Sequence, residues 1–351
     1  PVVTTPVPTT PVPTTPKPTT PVPTTPTKPT GKIRVVSIQD PFWFSLQLIT
    51  ARGDFTQKTG IEATVEGVAY DKLHAEAVNS FLRKMPGMDV ISVDNMWLGE
   101  WGDNEWLIPL DDYIIRDKEE VNMKDMIPNV MYTIDEWRGK IISFPVAPYT
   151  QGVIYRVDVF DELGLKPPPK DPKDSDWWTW DKYMEYVKAI NGRTVKGTKY
   201  YGTCIAGVQP APLTHMYTQL AASKGVRWFK QFPEAPWDFT PTVNVPENVK
   251  ALQYYIDLYK HSPPEAINYV WFDVGTQFGV GNIGMIFWWS PYFYLVNKAG
   301  YMTKEDSAVG KNGKMDPEKY DCALLPHEPG VPQCYSVSAW SLGIPKYAAN
   351  P

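Results

Sequence analysis

The stretch 33-IRVVSIQDP-41 opens the non-repetitive part of the chain and governs how the residues after it are read. Four of its first six residues are β-branched and fall on both faces of an extended chain. A strand buried on both sides, followed by a loop at Gln39-Asp40-Pro41, is the direct reading. A helical segment then runs to about Lys58 and is stopped by Thr59-Gly60. Residues 61–68 are again strand-like. From Asp71, the residues Leu73, Ala77 and Phe81 recur at four-residue spacing on one helical face, until Pro86-Gly87 ends the pattern. Residues 88–93, MDVISV, form a third strand. The order β-α-β-α-β predicts an α/β fold with a mostly parallel sheet flanked by helices.

The second half repeats this logic. Residues 141–144 and 152–155 read as short strands around a bend at Pro145-Val146-Ala147-Pro148. Thr179 is placed to cap a helix through Ile190, with Tyr183, Val187 and Ile190 inward. Val249, Leu252, Ile256 and Tyr259 line a further amphipathic helix. Residues 283–288 and 339–344 read as strands, which makes two α/β lobes.

Residues 1–30 contain only Pro, Thr, Val and Lys, and the pentad PVPTT recurs with small variations. Such a composition forms no apolar face, so this segment is expected to be an extended polyproline-like spacer reaching about 90 Å. The roughly 320 residues that follow are enough for two packed cores. Setting aside Lys17 and Lys28, 32 basic residues face 39 acidic ones, a balance of about −7 that argues against nucleic acid or an anionic membrane surface as partner. No run of 18 apolar residues occurs. A chain beginning inside a Pro/Thr spacer reads as a mature or trimmed product. Cys322 and Cys334 flank a short Pro/Gly-rich loop and are either a disulfide pair, worth roughly 3 kcal/mol in the chain-entropy model, or two free thiols. Cys204 reads as a buried, inert thiol.

Gly279-Val280-Gly281-Asn282-Ile283-Gly284 matches G-x-G-x-x-G, but its glycines precede an apolar run rather than open a helix. That order reads as a turn feeding a strand, not a dinucleotide site. Asp171, Asp174 and Asp176 lack the spacing and glycine of a calcium loop, and the four histidines are scattered, so no metal and no cofactor is expected. Neither a G-x-S-x-G elbow nor a Walker loop is present.

The positive signal is aromatic. 282-NIGMIFWWSPYFY-294 holds six aromatic residues in thirteen, and others sit at predicted loop ends: Phe42, Trp43 and Phe44, then Trp97 and Trp101, then Tyr149, then Trp340. Each alone reads more readily as core. Together they occupy the carboxyl ends of strands, where doubly wound sheets bind ligands. Aromatic faces there suit the C–H faces of sugars, with Asp40, Asp94, Asn95 and Gln209 available to their hydroxyls.

Six stretches in order resemble the extracellular solute-binding proteins of ABC importers, the family that includes maltose-binding protein. They are FTQKTGIEATVE, MDVISVDNMWLGEWGDNEWLIPLDDYI, WRGKIISFPVAPYTQGVIYRVDVFDELGL, WTWDKYMEYVKAI, FGVGNIGMIFWWSPYF and SVSAWSLGIPKYAANP, and together they cover roughly residues 33–351. The resemblance implies a two-lobed periplasmic-binding-protein fold with hinge crossovers, near residues 147–150 and 335–339. Residues 32–147 with 337–351 would form one lobe and residues 148–336 the other, behind the spacer of residues 1–31. It implies a non-catalytic, monomeric receptor outside the cytoplasmic membrane that captures a carbohydrate, expected to be an oligosaccharide, and delivers it to ABC permease subunits. The spacer would link it to a lipid-anchored amino terminus.

The same resemblance points to Gln39, Asp40 and Phe42 after the first strand, and to Asp94, Asn95 and Trp97 after the third. It adds Tyr149 and Thr150 at the crossover, Trp288, Trp289 and Tyr292 as an aromatic wall, and Ser338 and Trp340 at the return hinge. Alternation along a strand means that only one of Trp288 and Trp289 faces the cleft. Family members continue for several helices past the return hinge, so a chain stopping at Pro351 is expected to be incomplete. A secreted polysaccharide hydrolase with a Pro/Thr linker is the competing expectation, and turnover separates the two.

Overall fold

The computed structural model describes residues 31–231, 236, 238–290 and 319–349; the spacer and Tyr292 lie outside the described residues. The first strand, β1 (Gly31–Ile38), is followed by α1 (Pro41–Ala51) and α2 (Asp54–Thr59). Next come β2 (Ile61–Val68), α3 (Tyr70–Leu82) and β3 (Val90–Asp94). The expected order is therefore present. The helix expected to run to Lys58 is divided, because Gly53 takes a left-handed conformation (φ 75°) between α1 and α2. β1 pairs in parallel with β2 along its whole length, from Gly31 opposite Ile61 to Ile38 opposite Val68. Its other edge takes β3, with Val35 opposite Val90. Leu73, Ala77 and Phe81 are the buried residues of α3, as their spacing predicts. Full burial of side chains the size of Leu73 and Phe81 contributes roughly 1.5–3 kcal/mol each.

The two short strands expected on either side of a proline bend are one strand of thirteen residues, Phe144–Arg156, here called the crossover strand. Proline lacks the N–H that a ladder needs. The ladder absorbs Pro145 and Pro148 through an irregularity: the return strand, Val337–Gly343, pairs Trp340 with Ala147 and Ser341 with Pro145, leaving Val146 as an extra residue. The return strand also pairs antiparallel with β3, Trp340 opposite Asp94. Beyond Thr150 the crossover strand changes partners. Met285–Trp289 pairs with it from Trp289 opposite Gln151 to Met285 opposite Tyr155. Tyr320–Ala323 pairs with it from Ala323 opposite Val153 to Tyr320 opposite Arg156. Residues 153–155 thus carry a strand on each edge. The described sheet is mixed: β1, β2 and β3 pair in parallel, and every pairing of the crossover and return strands is antiparallel.

Helix Trp180–Ile190 begins where expected, with the Thr179 hydroxyl accepting from the Lys182 N–H at 3.2 Å, and it buries Tyr183, Val187 and Ile190. Helix Pro246–Tyr259 is also present, but with the opposite face inward. Ala251, Tyr255 and Leu258 are buried, whereas Val249, Leu252 and Ile256 are exposed. Tyr255 decides the orientation: its ring meets Tyr217 edge-on at 5.6 Å and its hydroxyl donates to the Ala206 carbonyl at 3.1 Å. The glycine-rich stretch ends helix Trp271–Val280 at left-handed Gly281 (φ 95°) and leads into strand Met285–Trp289, which is the turn its order implied. Cys204, Cys322 and Cys334 are all free, which decides between the two readings of the last pair in this structure.

Candidate functional site

The carboxyl ends of β1, β2 and β3 bring Asp40, Tyr70 and Asp94 to one end of the parallel strands. Asp94 is buried, and its Oδ1 accepts from the Met96 N–H at 3.0 Å, which holds the tight turn Asn95–Trp97. The Tyr70 hydroxyl lies beside the same carboxylate, and it points to Met96 Sδ at 3.9 Å. Burial pushes the Asp94 carboxyl above the usual carboxylate range; the Met96 N–H, Tyr70 and nearby His74 partly offset this. The Tyr70 hydroxyl is raised too, first by burial and then by Asp94. Asp40 is buried and accepts from the Tyr149 hydroxyl, so β1 is tied to the crossover strand. Ser338 donates to Asn95 Oδ1 at 2.8 Å, which ties the return strand to the turn after β3.

Aromatic rings close around these polar groups. Trp97 and Trp340 are buried, with centroids 5.8 Å apart and edge to face. Phe42 lies 6.5 Å from Trp340 in a stacked arrangement, and Tyr70 meets Trp97 at 5.9 Å and Trp340 at 6.1 Å. From the second half of the chain, Trp271 meets Tyr70 edge-on at 5.3 Å. His215, on helix Ala211–Ser223, packs on Trp271 at 5.4 Å and on Trp289 at 6.0 Å, and its Nε2 is 3.4 Å from Met96 Sδ. Burial lowers the His215 pKa, so its imidazole is neutral at pH 7. The cluster joins residues from both halves of the chain.

Most of the expected residues meet here: Asp40, Phe42, Asp94, Asn95, Trp97, Tyr149, Ser338 and Trp340 directly, and Trp289 through His215. Trp288 does not. It points to the other face of the strand and packs so tightly over helix Trp271–Val280 that a Cβ on Gly275 would lie 1.7 Å from its ring. Gln39 and Thr150 are exposed; the Thr150 N–H donates to Ser290 Oγ at 3.3 Å. Gln209 is exposed at the cis Gln209–Pro210 peptide, and the following helix reaches the cluster instead, through His215. Beside the cluster, α1 and the crossover strand enclose an apolar cleft of about 520 Å³, lined by Phe42, Ser45, Leu48 and Tyr149 among others.

The family model of the bacterial extracellular solute-binding proteins matches residues 37–351. The chain belongs to that family. Its fold, accordingly, is that of the two-lobed periplasmic binding proteins. One similar structure is an ABC transporter solute-binding protein of Agrobacterium radiobacter K84 in complex with ribitol. It is 27% identical, with a TM-score of 0.75 over 90% of this chain and 71% of that one. Another, from Agrobacterium vitis S4 with bound D-mannitol, is 24% identical, with a TM-score of 0.71 over 90% and 68%. The maltose-bound T. maritima MalE3 superposes with a TM-score of 0.71 at 22% identity, over 91% and 73%.

Four residues of this binding protein's cluster, Tyr70, Met96, His215 and Trp271, and Gln151 on the sheet face beside Trp289, were not legible from sequence alone. Tyr70 had a signal, since it lies at the carboxyl end of a strand, as Asp40 and Asp94 do. Trp271 heads a helix whose approach to Tyr70 is set by tertiary packing. Gln151 follows from register: it shares a sheet face with Tyr149 and lies opposite Trp289.

Proposed function

We propose that this binding protein captures an uncharged, polyhydroxylated solute, a sugar or a polyol, between its two halves and delivers it to the permease of an ABC importer. The observation that carries this reading is the convergence of Trp97, Trp271, Trp289 and Trp340 with the buried carboxylates Asp40 and Asp94. Flat ring faces take up the C–H surface of a carbohydrate, and carboxylate and amide groups accept and donate to its hydroxyls. The relatives that bind ribitol and mannitol support the same ligand class. Asp40 accepts from the Tyr149 hydroxyl, Asp94 accepts from the Met96 N–H, and His215 packs against rings and a thioether. These arrangements favour holding a ligand over transferring protons to it, which supports a non-catalytic receptor.

In this reading residues 32–147 with 337–351 form one lobe and residues 148–336 the other, and the paired segments of the crossover and return strands are the hinge. Ligand bound to both sides favours the closed arrangement through its differential affinity for it. No described helix is long and apolar enough to cross a membrane. The protein would work as a monomer outside the cytoplasmic membrane, held at a distance from a lipid-anchored amino terminus by its Pro/Thr spacer.

The test is intrinsic tryptophan fluorescence during titration with mono- and oligosaccharides and polyols, with product analysis of each mixture. Saturable change with unchanged ligand is expected. Breakdown of a glycoside would replace the receptor with a hydrolase, and silence across the panel would remove carbohydrate as the ligand class.

A further inference from the structure

We infer, building on the carbohydrate reading above, that this protein encloses one small ligand, a single sugar ring or a linear polyol, and that Gln151 and Trp271 read its hydroxyls. Gln151 is 1% exposed, yet neither its amide oxygen nor its amide nitrogen has a hydrogen-bond partner among the described residues. A buried amide with no partner is costly, and native structures retain few of them. Register places this one. Side chains two apart on a strand share a face, so Gln151 lies on the side of Tyr149, and Trp289 stands directly opposite it. Across the return strand, Ser338 is opposite Tyr149, and Trp340 is opposite Asp94. The Gln151 amide therefore belongs to the face that carries Asp94, Trp289 and Trp340. One acceptor and one donor on a planar amide match two neighbouring hydroxyls, one donating to Oε1 and the other accepting from Nε2.

Trp271 makes the second observation independently. Its indole N–H is buried and has no acceptor among the described residues, while its ring contacts Tyr70 and His215. It is a donor beside the same carboxylate-bearing end of the strands.

Ligand size follows from the contacts that span the two halves. Tyr70 meets Trp271 at 5.3 Å between ring centroids, and His215 Nε2 is 3.4 Å from Met96 Sδ. A chain of several sugar rings would have to part these contacts along its length, whereas a single ring or a five- or six-carbon polyol would part fewer of them. The sequence reading expects an oligosaccharide, and the titration below separates the two.

Calorimetric titration with ribitol, D-mannitol, tagatose, maltose and maltotriose tests the inference on the whole protein and on Gln151→Leu and Trp271→Phe. At least one of the three small ligands is expected to bind with one-to-one stoichiometry, and at least 100-fold more tightly than maltotriose. Gln151→Leu is expected to weaken that ligand at least 10-fold while leaving the melting temperature of the unliganded protein unchanged or higher. Trp271→Phe, which keeps a ring and removes the N–H, is expected to weaken it at least 5-fold. Maltotriose binding as tightly as the small ligands would overturn the size inference and leave the carbohydrate reading standing. Unchanged affinity in both variants would overturn the assignment of Gln151 and Trp271. No binding by any of the five would overturn this inference together with the carbohydrate reading.

Discussion

At the scale of single residues, Asp94 combines two roles that mutagenesis can separate. Its carboxylate caps the turn Asn95–Trp97 through the Met96 N–H, and it lies beside the Tyr70 hydroxyl at the border of the aromatic cluster. Asp94→Asn retains an acceptor for the Met96 N–H, so unfolding should move by less than about 1 kcal/mol, the usual worth of a cap. Charge-assisted hydrogen bonds contribute roughly 1.5–3 kcal/mol, so ligand affinity in that variant should fall about 10- to 100-fold. Titration and urea denaturation of one preparation check both. The aspartates were legible because they sit at the carboxyl ends of strands. His215 and Met96 were not, because nothing in a scattered histidine and an exposed methionine announces that folding sets them 3.4 Å apart.

The elements show where local pattern suffices and where it misleads. The face of α3 was readable because Leu73, Ala77 and Phe81 form its single apolar stripe. Helix Pro246–Tyr259 carries two stripes. The more apolar one, Val249, Leu252 and Ile256, is exposed, while small Ala251 allows close approach and Tyr255 finds a hydrogen-bond acceptor. Leu258→Ala should therefore cost about 2–5 kcal/mol of stability, and Leu252→Lys should stay within about 0.5 kcal/mol. Gly275 tests the packing of Trp288 in the same way. Gly→Ala inside a helix ordinarily gains about 1 kcal/mol. Here the new Cβ would meet the ring of a fully buried tryptophan at 1.7 Å, and overpacking of about 1–3 kcal/mol should dominate. A lower urea midpoint for Gly275→Ala, with unchanged slope, is the expected result. The continuous crossover strand escaped sequence reading because Pro145 and Pro148 argue against a strand, and the extra residue that accommodates them appears only once the return strand is in place.

For the molecule as a whole, the buried carboxyl of Asp135 sets a dependence on pH. It ends a π-helical turn, Met131–Asp135, and burial pushes it up to about 6, although Ser143 Oγ donates to it at 2.6 Å. A raised folded-state value favours the protonated form. Its contribution is therefore fullest below the ordinary 3.8, is lost as pH rises towards 6, and leaves a penalty at neutral pH. The difference corresponds to about 3 kcal/mol at most. Asp135→Asn should remove that slope between about pH 4 and 6 and should be at least as stable as the parent at pH 7, as denaturation across pH would show. The two-part organisation was legible from the order of elements and from its family resemblance. The meeting of the halves was not, since Tyr70 with Trp271 and Met96 with His215 are contacts between distant segments. Whether a solute is held at that meeting point is the central claim. A crystal structure of the protein grown with the sugar or polyol that titrates most tightly addresses it most directly. The expected result is one ligand bounded by Trp97, Trp271 and Trp340, with hydroxyls in hydrogen-bond reach of Asp94 and Gln151. Ligand density confined to the apolar cleft between α1 and the crossover strand, with the aromatic cluster unchanged, would contradict it.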